Sequence, residues 1–305
     1  MTGHHSLDSR IQSVVQSQPT ELPEFPDDKS DLPSDYEYNP DEMDDVEEEV
    51  EEIDENELLA HLDRQEHPLY VAQRLFYNEV NTTQSQTHAS EWQLHCLQPK
   101  VIEDLYAHGW ATVKGMFELQ DLKGAYEEAN SMRGQFTPAD KSIPEGDPFR
   151  DTKARDDAII WLDPSSQKMT ETPYLQKMLD FIRGPLSNDL KKMMRLRGPI
   201  EYQLSHFPSN GRYEKHRDGF PIDDPEDTQQ RRVTVMIFLT PGWTPCDGGE
   251  LRIFGNASEQ HGTVDAAARD IHPLLDHIVI MLSGVVDHEI LPAAKERFAL
   301  TAWLR

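Results

Sequence analysis

Acidic side chains are distributed so unevenly along this chain that they decide which part of it can build a core. Residues 1–57 hold 20 Asp and Glu against two cations, Arg10 and Lys29, in a 305-residue chain with a net charge of −27. The same stretch has scattered Pro and Ser, few aromatics and a nearly continuous acidic run from Asp41 to Glu57. Such a composition removes too little apolar surface from water to offset the entropy of ordering the chain, so the stretch is expected to be disordered. One pattern runs through it: Met43, Val46, Val50 and Ile53 recur at helical spacing, with Leu58, Leu59 and Leu62 close behind. Packed acids oppose that helix in isolation, whereas a basic, grooved protein partner would neutralise them and fold it. The same charge argues against nucleic acid and against anionic membrane as partners. Pro68 to Val80 reads as a short helix with proline in its first turn, and Asn81 to Ser90 as a polar linker. The expected division is therefore an acidic, largely disordered region over 1–90, with short helices in it, and one folded domain over 91–305.

Beyond residue 200 the pattern becomes that of strands. Glu201 to Phe207 reads as a strand, Pro208 to Gly211 as a turn, and Tyr213 to Asp218 as the start of the next strand. Residues two apart on a strand project to one side, so His216 and Asp218 can reach the same ion while Arg217 points away. His288 follows the apolar run Val279 to Val286, which would carry a third ligand into the same interior. Two imidazoles and one carboxylate can occupy one face of an octahedral iron and leave the opposite face open. A His-x-Asp triplet alone has a simpler reading, a turn histidine beside a solvated carboxylate; the residues that follow give it weight. His277, the rival for the third position, precedes the apolar strand and lacks an arginine at the matching distance.

That arginine is Arg297, nine residues after His288. Alternation places Arg297, Ala299, Thr301 and Trp303 on one strand face. An inward guanidinium needs a counter-charge. An internal Asp or Glu would serve, and so would the far carboxylate of 2-oxoglutarate, whose two oxygens match the planar fork.

The residues from Tyr106 to Trp303 resemble the iron- and 2-oxoglutarate-dependent prolyl hydroxylases, above all the oxygen-sensing enzymes that modify hypoxia-inducible factor. The resemblance rests on Tyr106 to Val113, Arg155 to Trp161, Phe207 to Asp218, Gly248 to Phe254, and His288 through Trp303, in collinear order. It implies a mainly β fold with flanking helices, a double-stranded β-helix or jelly-roll barrel, with the iron at its mouth. It implies His216, Asp218 and His288 as Fe(II) ligands and Arg297, Thr301, Tyr213 and Trp303 as cosubstrate contacts. Arg231, Trp161 and Arg155 would meet a proline-containing peptide or protein. The implied chemistry consumes 2-oxoglutarate and O2, releases succinate and CO2, hydroxylates a prolyl residue and draws on ascorbate as reductant. In the segment from Phe136 to Arg155 the resembling enzymes carry a mobile loop over the substrate. The sequence also departs from them. Phe207 and Phe238 stand where they have tyrosines, so two hydroxyls that would hold the cosubstrate are missing, with Tyr202, Tyr213 or His206 as substitutes.

Cys96 and Cys246 are the only cysteines. Nothing in the sequence pairs them, and there is neither a signal-peptide pattern nor a long uninterrupted apolar stretch, so cytoplasm or nucleus is the expected compartment. Two other functions fit the residues less well. One is the same chemistry on a small molecule or another side chain; the other is a non-catalytic binding module acting through the acidic region.

Overall fold

The computed structural model describes residues 68–77, 93–139, 154–222, 224–254 and 268–305. The acidic region through residue 67, the amphipathic pattern within it, the linker 81–90 and residues 140–153 of the expected substrate loop lie outside these.

The elements in chain order are α1 (Pro68–Gln73), α2 (Pro99–His108), β1 (Trp110–Lys114), α3 (Leu119–Ser131), β2 (Thr137–Pro138), β3 (Ala158–Trp161), α4 (Pro173–Phe181) and α5 (Ser187–Met193), then β4 (Glu201–Phe207), β5 (Tyr213–His216), β6 (Val233–Leu239), β7 (Leu251–Ile253), β8 (Arg269–Ile271), β9 (His277–Leu282), β10 (His288–Ile290) and β11 (Arg297–Leu304). They form two antiparallel sheets, one of seven strands in the order β1-β9-β6-β11-β4-β3-β2 and one of four in the order β5-β10-β7-β8. This is the jelly-roll with flanking helices that the sequence leads one to expect. Among the described residues no helix is long and apolar enough to cross a membrane.

The strands at the centre of the large sheet are the most apolar. Every residue of β6 and β11 is buried, as befits strands covered on both faces. The helices lie against this sheet, with α2 on β1 and β9 and α3 on β6. Proline opens α2 and α4, where a missing N–H leaves no bond unmade. Gly109 ends α2 with φ of 80° and returns its N–H to the Leu105 carbonyl. A buried carboxylate ties the first helical layer together: Asp189 of α5 accepts the backbone N–H groups of His95, Cys96 and Leu97 at 2.8–3.0 Å.

Three local expectations are corrected. The helix from Pro68 stops at Gln73, because Phe76 turns inward and bridges to Met194, which a continuing helix would prevent. The strand at Tyr213 ends at His216, so Asp218 stands in the bend beyond it. The apolar run before His288 is two structures: β9 ends at Leu282, and the chain crosses through a turn into β10 of the other sheet. Within the expected substrate loop, Thr137 and Pro138 pair with Ile159 and Ala158.

Candidate active site

The small sheet supplies the two imidazoles. His216 on β5 and His288 on β10 are register partners, and the pairing becomes irregular immediately after them. Asp218, two residues past His216, turns back from the bend: its Oδ1 lies 3.5 Å from His216 Nε2 and its Oδ2 3.8 Å from His288 Nε2. One nitrogen or oxygen from each of the three falls within 4.8 Å of the others, the one such group among the described residues.

Each ring is oriented by its other nitrogen. His216 Nδ1 lies 2.8 Å from the Glu214 carbonyl and His288 Nδ1 3.1 Å from that of Val286. A carbonyl only accepts, so each Nδ1 carries a proton and each Nε2, turned toward Asp218, is the nitrogen left for a metal once its own proton is lost. Thr234 Oγ1 donates to Asp218 Oδ2 at 2.8 Å and lies 2.8 Å from Ser283 Oγ, which fixes the carboxylate. Burial opposes ionisation of Asp218, but His288 and His216 outweigh it and hold the carboxyl far below the usual range. Burial likewise lowers the pKa of His288, favouring the neutral ring. Three such donors converging on one point fit iron(II).

The trio opens into a cavity of about 150 Å³ whose lining includes Gln203, Ser205, Phe207, Tyr213, Met236, Ala299, Thr301 and Trp303. Tyr213 stacks on His216 with ring centroids 3.6 Å apart, and the Arg155 guanidinium lies 4.1 Å from the tyrosine ring centre. Arg155, Arg231 and Trp161 stand on the same lining. Both arginines are ion-paired, Arg155 to Asp157 at 2.6 Å and Arg231 to Glu201 at 2.7 Å, and Arg231 also lies over Trp303 at 3.9 Å.

Arg297 continues the inward face of β11 two residues before Ala299. It is 1% exposed, yet its Nε and both terminal nitrogens have no hydrogen-bond partner among the described residues. No ion pair to it exists among the described residues; its guanidinium lies 4.7 Å from the Phe207 ring centre. Burial pushes its pKa down to about 10, against the milder upward pull of Asp157 and Glu250. Among the described residues, then, no internal acid, one of the two counter-charges the sequence allowed, pairs with it. A cation so placed fits a ligand carboxylate.

The missing tyrosyl hydroxyls are not restored from β4. Gln203, Ser205 and Phe207 face the cavity, so Tyr202 and His206 face the other way, and His206 instead meets Glu296 at 3.2 Å and stacks on Phe298. Tyr213 alone of the three substitutes reaches the chamber. His277 is remote from it, opposite Lys114 of β1. Sequence reasoning missed Thr234, Ser283, Gln203 and Ser205. Thr234 carried a weak signal, a hydroxyl inside the otherwise apolar run Val233 to Leu239.

These features define the class. Residues 202–305 match the 2OG-Fe(II) oxygenase superfamily, so the chain carries an oxygenase domain of that kind. More particularly, it is 27% identical over 218 residues to the hypoxia-inducible factor prolyl hydroxylase of Caenorhabditis elegans, covering 69% of this chain and 28% of that longer protein. A prolyl-4-hydroxylase of Pseudomonas putida superposes with a TM-score of 0.51 at 29% identity, over 68% of this chain and 97% of the other. The prolyl hydroxylase of Trichoplax adhaerens, solved with a hypoxia-inducible factor peptide, shares the fold with a TM-score of 0.53 at 19% identity, over 74% and 94% of the two chains.

Proposed function

We propose that this protein hydroxylates prolyl residues of a peptide or protein, with iron(II) held by His216, Asp218 and His288. The observation that carries the reading is Arg297, a buried guanidinium whose three nitrogens have no partner among the described residues, in the barrel that holds the trio. Similarity to the bacterial prolyl-4-hydroxylase over nearly its whole length supports proline as the target. The chemistry that iron(II) supplies when bound is oxidative decarboxylation of 2-oxoglutarate by O2 to succinate and CO2, with one oxygen atom placed on the substrate.

The chain's own residues position and shield. His216 and His288 offer Nε2 because their Nδ1 protons are committed to backbone carbonyls, and Thr234 keeps Asp218 turned toward them. Arg297 binds the far carboxylate, while Thr301, Tyr213 and Trp303 wall the cosubstrate. Burial raises the Tyr213 pKa, so it stays a neutral hydroxyl able to donate. Trp161, Arg155 and Arg231 border the route the substrate takes. Ascorbate serves as reductant, the acidic region recruits a basic partner, and cytoplasm or nucleus is the compartment.

Succinate release from full-length protein with iron(II), 2-oxoglutarate and a panel of proline peptides, read with the peptide mass, tests the reading. A gain of one oxygen on proline is expected, abolished by His216→Ala, Asp218→Ala or His288→Ala but not by His277→Ala. Oxidation confined to another residue would overturn the proline assignment, and full turnover in the His288 variant would overturn the ligand assignment.

A further inference from the structure

One polar side chain on the chamber wall holds neither metal nor cosubstrate. Gln203 is 5% exposed and lines the cavity beside the trio. Ser205, two residues along the same face of β4, donates to its Oε1 at 3.1 Å. That bond satisfies the acceptor end of the carboxamide, whereas the two Nε2 hydrogens have no partner among the described residues. A buried amide donor left unpaired is costly, so a ligand atom is expected to complete it. The two arginines of the lining are already engaged, Arg155 by Asp157 and Arg231 by Glu201.

Strand register narrows the choice of ligand. Trp161 of β3, Gln203 of β4, Thr301 of β11 and Met236 of β6 are successive partners and all line the cavity, so they form one row across the large sheet. Trp161, at the outer end of that row, is 49% exposed and marks the mouth. Thr234, which holds Asp218, stands two residues from Met236 on β6. Arg297 pairs instead with Phe207, four residues from Gln203 and roughly 13 Å along the strand. A cosubstrate running from the trio to Arg297 therefore leads away from Gln203, and the amide faces what enters past Trp161.

We propose that Gln203 binds the main chain of the substrate, its amide donating to a peptide carbonyl on one side of the reacting proline. The proposal rests on the prolyl-hydroxylation reading above. The peptide group that precedes a proline has no N–H, so the polar atoms nearest the ring are carbonyl oxygens, and these need donors. Gln203 has the matching polarity, because Ser205 occupies its oxygen and leaves its nitrogen for a ligand. Every peptide carries those carbonyls. Gln203 therefore contributes equally to the binding of all of them, and selection among peptide sequences falls to other residues.

The test measures peptide affinity apart from turnover. Full-length protein with Mn(II) and 2-oxoglutarate, without oxygen, is titrated with fluorescein-labelled 15-residue peptides that share a central proline and differ in their flanking side chains. Gln203→Met, close in volume and without a donor, is expected to weaken every peptide by the same factor, about tenfold, and to bind 2-oxoglutarate as wild type does. A thioamide, whose sulfur accepts hydrogen bonds weakly, is placed in turn at the carbonyl before the proline and at that of the proline. It should weaken binding to wild type at one of the two positions and have no effect there in Gln203→Met. Unchanged peptide affinity in Gln203→Met, a loss confined to particular flanking side chains, or a loss of 2-oxoglutarate affinity in its place would overturn the proposal. If the variant does not fold, wild type decides alone: no thioamide effect at either position would overturn it, as would failure to bind any of the peptides. Oxygen found on a residue other than proline, with the uniform loss intact, would uphold main-chain binding and sink the proline assignment. Proline oxidised by Gln203→Met at an unchanged KM for peptide would do the reverse.

Discussion

At the scale of single residues, the inner wall of the barrel combines a cation without partners among the described residues and two phenyl rings without hydroxyls. Phe238 shares a face of β6 with Met236, which lines the cavity, and pairs with Ala299 of β11, two residues from Arg297. Phe238→Tyr would place a donor on that wall, and a hydrogen bond to a carboxylate contributes roughly 1.5–3 kcal/mol. We expect a lower apparent KM for 2-oxoglutarate in this variant, measured by succinate release; an unchanged value would mean that the far carboxylate lies elsewhere. Arg297→Met tests the same wall through folding. It removes a buried, unsatisfied charge while nearly conserving volume, so without cosubstrate the variant should be more stable by about 1–3 kcal/mol, read from urea unfolding. 2-Oxoglutarate should then stabilise wild type and leave the variant unmoved. Much of this wall was legible in the sequence, because Arg297, Ala299, Thr301 and Trp303 alternate on one strand. The solitude of Arg297 was not, since whether an internal acid reaches it depends on contacts across the barrel that spacing does not encode.

At the scale of elements, the boundaries that sequence reasoning misplaced are those where tertiary contact overrides local pattern. The apolar run from Val279 reads as one strand because both sheets bury their inner faces, and only the turn at Ser283 and Gly284 reveals that it serves two. Asp218 was assigned to a strand by its spacing from His216; the bend achieves the same convergence. The joint between α5 and the segment entering α2 had no sequence signature. There Asp189 satisfies three backbone donors, and Asp189→Ala would leave all three unpaired, with an expected loss of about 3 kcal/mol or more, measurable by chemical denaturation. Burial would raise the Asp189 pKa, but the N–H groups of Leu97, Cys96 and His95 prevail and lower it. A carboxylate whose folded pKa is depressed contributes stability present above its unfolded value, near pH 3.9, and lost as pH falls through the folded one. Wild type should lose its advantage over Asp189→Ala in that acidic window and show no such change between pH 5 and 7.

At the scale of the whole molecule, the charge segregation places 20 acids in residues 1–57 and every proposed ligand beyond residue 200. Deleting residues 1–57 should therefore leave turnover on a short peptide within about twofold of the full chain. It should also weaken capture of a basic protein partner, and only at low ionic strength, where charge attraction is least screened. A large loss of turnover would show that the acidic region takes part in catalysis. The pairing of His216 with His288 bears on a different property. These residues join β5 to β10 at the last regular rung before the pairing breaks up, so a divalent ion there would act as a cross-link where the small sheet is weakest. Amide hydrogen exchange should then report metal loading locally: adding Fe(II) or Mn(II) without oxygen would slow exchange along β5 and β10 and leave β6 and β11, buried over their whole length, unchanged. A metal-starved molecule would keep its large sheet closed while the small one breathes, and of the two sheets the small one would be the first that a protease cuts.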